Sequence, residues 1–557
     1  MEKGGNELFD DDTVIHHITI QTLSVQDGLT LCTGIYDAAQ PIRKDKFSTA
    51  TIPDLDLKVK NIQFAETGDT IDFVCVSPET ALSKNSIVTL FAEEPFINTE
   101  KLELRLCEIT ERYFNNRMLT PALEIILNQA SPVFKNNRDY LPITRQRFQD
   151  NDSYLKAIIV AIKEMDNSCL CIQGPPGAGK TFTAKHVISA LVNQGKRVGV
   201  MSNSHAAIMN LLKPLSKQLK NQVVVKIGGL GNNQNQFKEQ FSEQEYPNFK
   251  YRTGFKFTTR QPYEFYSVIG ATAYGFASDI AYENPLDYLF VDEASQVALA
   301  NLVAVSGAAN NIILMGDQMQ LEQPIQGSHP GLSGSSALEF MLKDHSVIPE
   351  DKGIFLERTY RMHPAVCKPL SEIVYEGKLQ ADADNIRQAI DIPSPSLITR
   401  KHGILPVNIQ HEGNTQCSHE EADLVQQLIN ELKTGSFTDK QGQKSMLTDN
   451  DILVIAPYNM QVNLLKEKIN GNINTGTIDK FQGQEAPVVI ISMAVSDVEE
   501  SARGLDFVFD INRLNVAISR AKALAIIVAN QGLESCPVNS LRQMEKVGFF
   551  CKLNGFL

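Results

Sequence analysis

The sequence predicts an α/β architecture: two tandem domains, each built on a parallel β-sheet, behind a β-rich N-terminal domain. Three observations predict it. Near-continuous apolar strands alternate with helix-length amphipathic segments, as a parallel sheet covered on both faces requires. The alternation comes as two successive sets, before and after Pro364. Short alternating or β-branched runs separated by Asp-Gly and Gly-Asp turns fill the N-terminal region. At 557 residues, 43% hydrophobic and 21% charged, the chain is too long for one core and fits about three or four domains. A disulfide-stapled miniprotein and a disordered tail are excluded.

The β-rich domain is expected over residues 1–114, from runs such as His17-Ile-Thr-Ile-Gln-Thr-Leu, Thr70-Ile-Asp-Phe-Val-Cys-Val and Ser86-Ile-Val-Thr-Leu-Phe. Between Asn115 and Met165, the spacing in Ala122-Leu-Glu-Ile-Ile-Leu and Tyr154-Leu-Lys-Ala-Ile-Ile-Val-Ala-Ile predicts helices. The first α/β domain, 115–345, takes its strands from Ser168-Cys-Leu-Cys-Ile, Arg197-Val-Gly-Val-Met, Ser267-Val-Ile-Gly-Ala, Tyr288-Leu-Phe-Val and Asn311-Ile-Ile-Leu-Met. Residues 213–260 are rich in Asn, Gln, Lys and Phe without strong periodicity and read as an irregular insertion. The second α/β domain, 346–557, takes its strands from Ile452-Leu-Val-Ile-Ala, Val488-Val-Ile-Ile-Ser-Met and Leu524-Ala-Ile-Ile-Val-Ala.

Charge and cysteine content bound the partners. With 52 Lys plus Arg against 65 Asp plus Glu, the net charge is -13, and composition alone argues against a polyanion. The nine cysteines form no C-x-x-C pair and read as reduced core thiols of a cytoplasmic protein. Met1 to Asp12 has no basic or apolar region of a secretory signal, and no apolar run approaches the ~18 residues of a membrane span. No membrane partner is expected.

Gly174-Pro175-Pro176-Gly177-Ala178-Gly179-Lys180-Thr181 satisfies G-x-x-x-x-G-K-[ST] directly after a predicted strand and before a predicted helix that opens at Phe182. From average residue usage, such a match arises by chance in about one chain in fifty of this length, before that context is required. Glycines let backbone N–H groups approach phosphate oxygens, Lys180 reaches the β/γ-phosphates, and the Thr181 hydroxyl ligates Mg²⁺. An apolar strand then ends in two carboxylates, Leu289-Phe-Val-Asp292-Glu293. Strand alternation points them apart, so that Asp292 is assigned to Mg²⁺ and Glu293 to the attacking water as general base.

With Asp292-Glu293-Ala-Ser-Gln296 in place, the remaining motifs fall in the order seen in superfamily 1 helicases. Gly316-Asp317-Gln-Met-Gln320-Leu321 resembles motif III, and Tyr360-Arg361-Met-His-Pro resembles motif IV. Thr477-Ile-Asp479-Lys-Phe-Gln482-Gly483-Gln-Glu485 resembles motif V, and Asn512-Arg513-Leu-Asn515-Val-Ala-Ile-Ser-Arg520-Ala521 resembles motif VI. The chain is most similar to the nonsense-mediated-decay helicase branch, which moves 5' to 3'. Asn203-Ser-His205, Gly327-Ser-His329-Pro and Ala456-Pro-Tyr458-Asn look like the helicase half of bacterial proteins that carry a RecB-like nuclease domain. The resemblance runs from about Asp166 to the C-terminus.

It implies two RecA-like P-loop domains, ATP and Mg²⁺ as cofactors, and Gln320 as the sensor of the γ-phosphate and attacking water. Arg361 and Arg520, both expected from the second α/β domain, would stabilise transition-state charge as the domains close. By resemblance, Tyr360 stacks on the base and Glu485 holds the ribose. Asp317 is equally well explained by a Gly-Asp turn. The Gln that reads adenine in this branch has no equivalent in Asp150-Asn151-Asp152-Ser153-Tyr154, and the spacing of Gln149 is wrong, which leaves base preference open.

Single-strand motors grip backbone phosphates with hydroxyls and N–H groups, so an acidic chain can still carry a suitable groove. Ser202, Asn203, Thr272 and Thr477 are the candidate contacts, although turn chemistry at strand ends also explains Ser202 to Ser204. Tyr274 could stack a base or pack in a core. His329, His363 and His402 are too scattered for zinc and read as structural. No nuclease signature is readable in the β-rich region, so any cutting is expected from a separate nuclease partner. The interval from Pro364 to Ile452 has no room for the large insertion of 3'-to-5' enzymes. The expected activity is an ATP-dependent 5'-to-3' helicase or translocase on single-stranded nucleic acid, DNA ahead of RNA. A nucleotide-gated binding scaffold is the alternative from another class.

Overall fold

The computed structural model describes residues 13–26, 29–38, 40, 42, 44, 47, 49–55, 57–65, 69–76, 82–92, 99–229, 245–322, 330–343, 345–481, 483–498, 501, 503–553 and 555. The chain divides into two compact units. One comprises Met1–Ile97, Arg387–Asp510 and Arg520–Leu557; the other comprises Asn98–Ile386 and Ile511–Ser519.

In the first unit, strands Val14–Gln26, Leu29–Ile35, Thr70–Cys75, Leu57–Phe64, Thr49–Ile52 and Ile87–Ala92 close an antiparallel barrel in that order. Alternation builds it: Leu29–Ile35 and Thr70–Cys75 bury every second side chain, among them Cys32, Ile71 and Phe73. Register shifts between Ile15 and Ile18 and between Ile20 and Thr22 let the 13-residue first strand pair with both neighbours. The β-rich reading is borne out, but its strands stop at Ala92, and Glu100–Asn116 is a helix. The alternation seen upstream gives way there to apolar residues at helical spacing, Leu102 and Leu106 on either side of Arg105. Arg105 is buried, donates from Nε to the Ala277 carbonyl at 3.0 Å and pairs with Glu108 and Asp279, holding this helix within the second unit.

The first unit also holds a five-stranded parallel sheet, ordered Gly403–Ile409, Ala521–Asn530, Ala486–Ser492, Ile452–Ile455, Asn474–Gly476. Apart from Lys522, its central strands are buried along their whole length, which is why they read as continuous apolar runs.

The second unit is built on an eight-stranded parallel sheet: Phe249–Arg252, Val224–Ile227, Val268–Ala271, Val198–Met201, Leu286–Val291, Ala309–Gly316, Cys169–Gln173, Gly353–Phe355. Five of these strands coincide with sequence expectations. The irregular insertion expected at 213–260 is corrected: the helix His205–Gln218 extends into it, and it supplies two parallel strands, Val224–Ile227 and Phe249–Arg252. Four residues are too few to show a period, and Lys226 interrupts the first strand. Its buried ammonium is satisfied by the carbonyls of Ile227 and Gly228 and by His205 Nδ1, at 2.6, 2.9 and 2.9 Å. Gly327, His329 and Gln482 lie outside the described residues.

Candidate active site

The strand Cys169–Gln173 is wholly buried and runs into the phosphate loop, which opens the helix Lys180–Val192. Gly174 N–H donates to the Gly316 carbonyl at 2.9 Å, fixing the base of the loop to the next strand end. Gly177 and Gly179 take φ of +73° and +82°, a region that L side chains rarely adopt. The loop is strapped from outside by residues 359–361. The Tyr360 N–H donates to the Gly177 carbonyl at 2.9 Å, and Thr359 Oγ1 donates to the Pro176 carbonyl at 2.9 Å. Lys180 Nζ donates to the Gly174 carbonyl at 2.6 Å, and Thr181 and Phe182 are exposed at the first turn of the helix.

The strand Leu286–Val291 delivers the carboxylate pair, but alternation is not what separates them. The strand ends at Val291, and Glu293 takes a φ of +52°, a left-handed turn that costs of order 1–2 kcal/mol for a residue with a side chain. Burial, then the neighbouring charge of Glu293, pushes the Asp292 carboxyl up to about 7, with Lys180 acting against both. A divalent cation beside it would favour the ionised form and relieve that penalty. Asp292 and the Thr181 hydroxyl are hard oxygen ligands of the kind Mg²⁺ takes alongside waters and phosphate oxygens. Gly316, at the end of the neighbouring strand Ala309–Gly316, has no room for a Cβ, which would meet the N atoms of Ala294 and Ser295 at 3.0 Å.

Beyond Gly316, Asp317 is a fully buried hub rather than a simple turn residue. Its Oδ1 accepts from Gln173 Nε2 at 3.2 Å and Met319 N at 3.3 Å; its Oδ2 accepts from Gln320 Nε2 at 2.9 Å and the Tyr375 hydroxyl at 2.8 Å. Burial raises its carboxyl above the ordinary range, while Lys180 and these donors pull the other way. Sequence reasoning missed Gln173, Thr359 and Tyr375. Gln173 left a signal, an amide closing an otherwise apolar strand; Tyr375 left none.

The expectation that Arg361 comes from the second α/β domain is corrected. It lies in the same compact unit as the phosphate loop, and its guanidinium donates to the Ser519 carbonyl at 3.0 Å. A strap that closes over the loop through Thr359 and Tyr360 must carry Arg361 with it. Tyr360 is 37% exposed and lines a cavity of about 360 Å³ with Arg145, Asn151, Tyr154, Gly179, Phe182 and Glu357. Tyr154 donates its hydroxyl to the Phe355 carbonyl at 3.2 Å.

Thr477, Glu485 and Arg520 belong to the other unit. There Arg520 is 2% exposed and donates to the Gln484 carbonyl at 3.4 Å, and Glu485 pairs with Lys522 at 3.1 Å. Thr477 follows the strand Asn474–Gly476 and accepts at its carbonyl from Lys480 N at 3.1 Å. Among the other candidate contacts, Ser202 is buried, Asn203 is exposed and donates its amide to the Gln296 carbonyl, and Thr272 precedes the short helix Ala273–Phe276. His363 caps the helix Pro364–Val374, accepting from Ala365 N at 3.0 Å.

Two family models, each described as an AAA domain, match residues 157–325 and 334–532. The chain therefore contains two AAA/RecA-like domains in tandem, as its parallel sheets already indicate. It is 25% identical over 534 residues to the DNA replication ATP-dependent helicase/nuclease DNA2 of Saccharomyces cerevisiae, covering 86% of this chain and 33% of that protein. It is 26% identical over 384 residues to the DNA2 protein of Homo sapiens, covering 64% of this chain and 35% of that one. It is 24% identical over 538 residues to the DNA polymerase alpha-associated DNA helicase A of Schizosaccharomyces pombe, covering 81% of this chain and 78% of that one. The chain thus spans about a third of the length of these DNA2 relatives.

Proposed function

We propose that the chain is an ATP-dependent superfamily 1 helicase or translocase that moves 5' to 3' on single-stranded nucleic acid, with DNA preferred. The observation that carries this reading is the assembly of one hydrolytic half-site within a single compact unit: phosphate loop, Asp292-Glu293 pair and the Asp317–Gln320 hub. The names of the relatives, replication helicase/nucleases and a DNA helicase, favour DNA as the track.

In this reading the N–H groups of Gly177, Gly179 and Lys180 bind phosphate oxygens, and the Lys180 ammonium leaves the Gly174 carbonyl to reach the β/γ-phosphates. Thr181 and Asp292 would hold Mg²⁺, which would offset the charge of the phosphates. Glu293 takes a proton from the attacking water, and Gln320 orients that water. Arg361 and Arg520 offset the charge that redistributes over the transferred phosphoryl group. Tyr360 stacks on the base and Glu485 holds the ribose. Closure of the two RecA-like domains over ATP and reopening after hydrolysis drive movement along a strand held by Ser202, Asn203, Thr272 and Thr477.

ATP hydrolysis measured with matched DNA and RNA oligonucleotides tests the reading. Stimulation by DNA above RNA is expected, as is unwinding of a duplex bearing a 5' but not a 3' single-stranded tail. Saturable ATP binding without stimulated hydrolysis would instead mark a nucleotide-gated scaffold.

A further inference from the structure

We propose that Tyr375 is a positioning residue for nucleotide hydrolysis, which sets the orientation of Gln320 through Asp317 and ties it to the helix Ile511–Ile518. The proposal rests on the hydrolase reading above.

The hydrogen-bond directions are determined by groups that have only one option. The Met319 carbonyl can only accept, and Asn515 Nδ2 lies 2.7 Å from it. The reverse amide orientation would set two acceptor oxygens against each other. The second Nδ2 proton of Asn515 therefore goes to Tyr375 Oη at 2.8 Å, and the tyrosine gives its own proton to Asp317 Oδ2 at 2.8 Å. On the far side, Gln173 is fixed independently: its Oε1 accepts from Ile348 N at 2.7 Å and its Nε2 donates to the Ser346 carbonyl at 2.9 Å, leaving a donor for Asp317. Asp317 is thus surrounded by donors.

An acceptor at Asp317 turns the Nε2 arm of Gln320 inward, at 2.9 Å. The Oε1 arm is then the one an attacking water would meet, and an oxygen there accepts a water proton and aims the lone pair at phosphorus. Tyr375, Asp317 and Asn515 are all fully buried, where each such bond is strong and each unmade one is costly. The helix Ile511–Ile518 is moored to the same loop by Asn512 Nδ2, which donates to the Gln318 carbonyl at 3.3 Å, and it is followed at once by Ser519 and Arg520. A shift of Gln320 when phosphate departs therefore reaches, through Asp317 and Tyr375, the helix Ile511–Ile518.

Steady-state ATP hydrolysis by the full chain, with saturating single-stranded DNA, tests this in the wild type, Y375F, N515A and the double variant. Because a mispositioned water slows the chemical step without weakening binding, Y375F should lower kcat roughly tenfold with KM for ATP within about twofold. N515A acts through the same hydroxyl, so the double variant should lose no more than Y375F alone, whereas independent structural damage would multiply to roughly a hundredfold. Thermal midpoints of the variants report folding; if N515A does not fold, the kcat-against-KM split of Y375F decides. An unchanged kcat in Y375F, a rise in KM alone, or multiplicative losses overturn the proposal while leaving the hydrolase reading intact. A wild type that does not hydrolyse ATP overturns both.

Discussion

A Cβ placed on Gly177 would lie 2.6 Å from the Cβ of Arg361 and 2.6 Å from Thr359 Oγ1. The phosphate loop and its strap therefore fit only because this position has no side chain, and its φ of +73° independently requires glycine. Gly177→Ala must either push the strap away or distort the loop, and both spoil the cradle. ATP affinity should fall more than about tenfold, from a strain of roughly 1–2 kcal/mol plus the steric displacement. Titration with a fluorescent nucleotide measures it, and wild-type affinity would refute this account of the strap.

Glu293 is placed by a left-handed backbone turn immediately after the strand that carries Asp292. An amide in its place keeps the size and the turn but cannot take a proton. Glu293→Gln should bind ATP with affinity close to wild type while turnover drops by about a hundredfold or more. Lys180→Ala should lose turnover together with affinity. An unimpaired Glu293→Gln would assign the base elsewhere.

Asp292 provides a pH-dependent stability test in the nucleotide-free protein. Its carboxyl is raised in the folded state to about 7, from an ordinary 3.8. A raised folded value means that stability is fully present below the unfolded value and is lost as pH rises through the folded one. Asp292→Asn removes the ionisation, so the variant's thermal midpoint should gain roughly 5 °C on the wild type's between pH 5 and pH 8. Melting curves across that range check it; a difference that shrinks with rising pH has the wrong sign.

How much of this was legible in the sequence follows from range. The phosphate loop, the carboxylate pair and the buried strands are local signals, and each lies where its pattern placed it. The hub is non-local. Gln173, Asp317, Tyr375 and Asn515 span more than three hundred positions, and nothing in the neighbours of Tyr375 distinguishes a hydrogen-bonded phenol from a core ring. Val224–Ile227 was missed because a buried lysine breaks its apolar run. Glu100–Asn116 was read with the β-rich region because a boundary drawn by composition overran the last strand, which ends at Ala92.

In the other unit, Glu421 is fully buried and accepts from Ser492 Oγ at 2.6 Å and Ala494 N at 2.9 Å, with His411 Nε2 at 3.1 Å. His411 Nδ1 in turn meets Ser496 Oγ at 2.6 Å. This network joins the loop after Gly403–Ile409 to the loop after Ala486–Ser492. His411→Ala strands a buried carboxylate and should destabilise this sheet by about 3 kcal/mol. Glu421→Gln, which keeps the shape and several bonds, should cost less. Denaturant unfolding followed at both variants checks the order, and equal losses would mean that the histidine contributes packing alone.

The cavity beside Tyr360, whose ring is proposed above to stack on the base, bears on nucleotide choice. Its walls are the rings of Tyr360 and Phe182, and Tyr154 spends its hydroxyl on the Phe355 carbonyl. Of the polar groups at its rim, Asn151 Oδ1 already accepts from Arg145 Nε at 3.0 Å, and Glu357 Oε2 accepts from Arg145 N at 3.1 Å. Stacking is tolerant of base identity because every base has a π-face, whereas discrimination needs a matched pair of edge contacts. ATP and GTP should therefore be hydrolysed with kcat/KM within about fivefold of each other, since a single unmatched contact is worth only ~1 kcal/mol. Tyr360→Ala should raise KM for both, roughly tenfold, as the stacking surface is lost. A panel of nucleoside triphosphates under the same stimulated conditions measures both effects. A preference for ATP above about thirtyfold would require an edge contact to adenine, with the free Nδ2 arm of Asn151 as the group to substitute next.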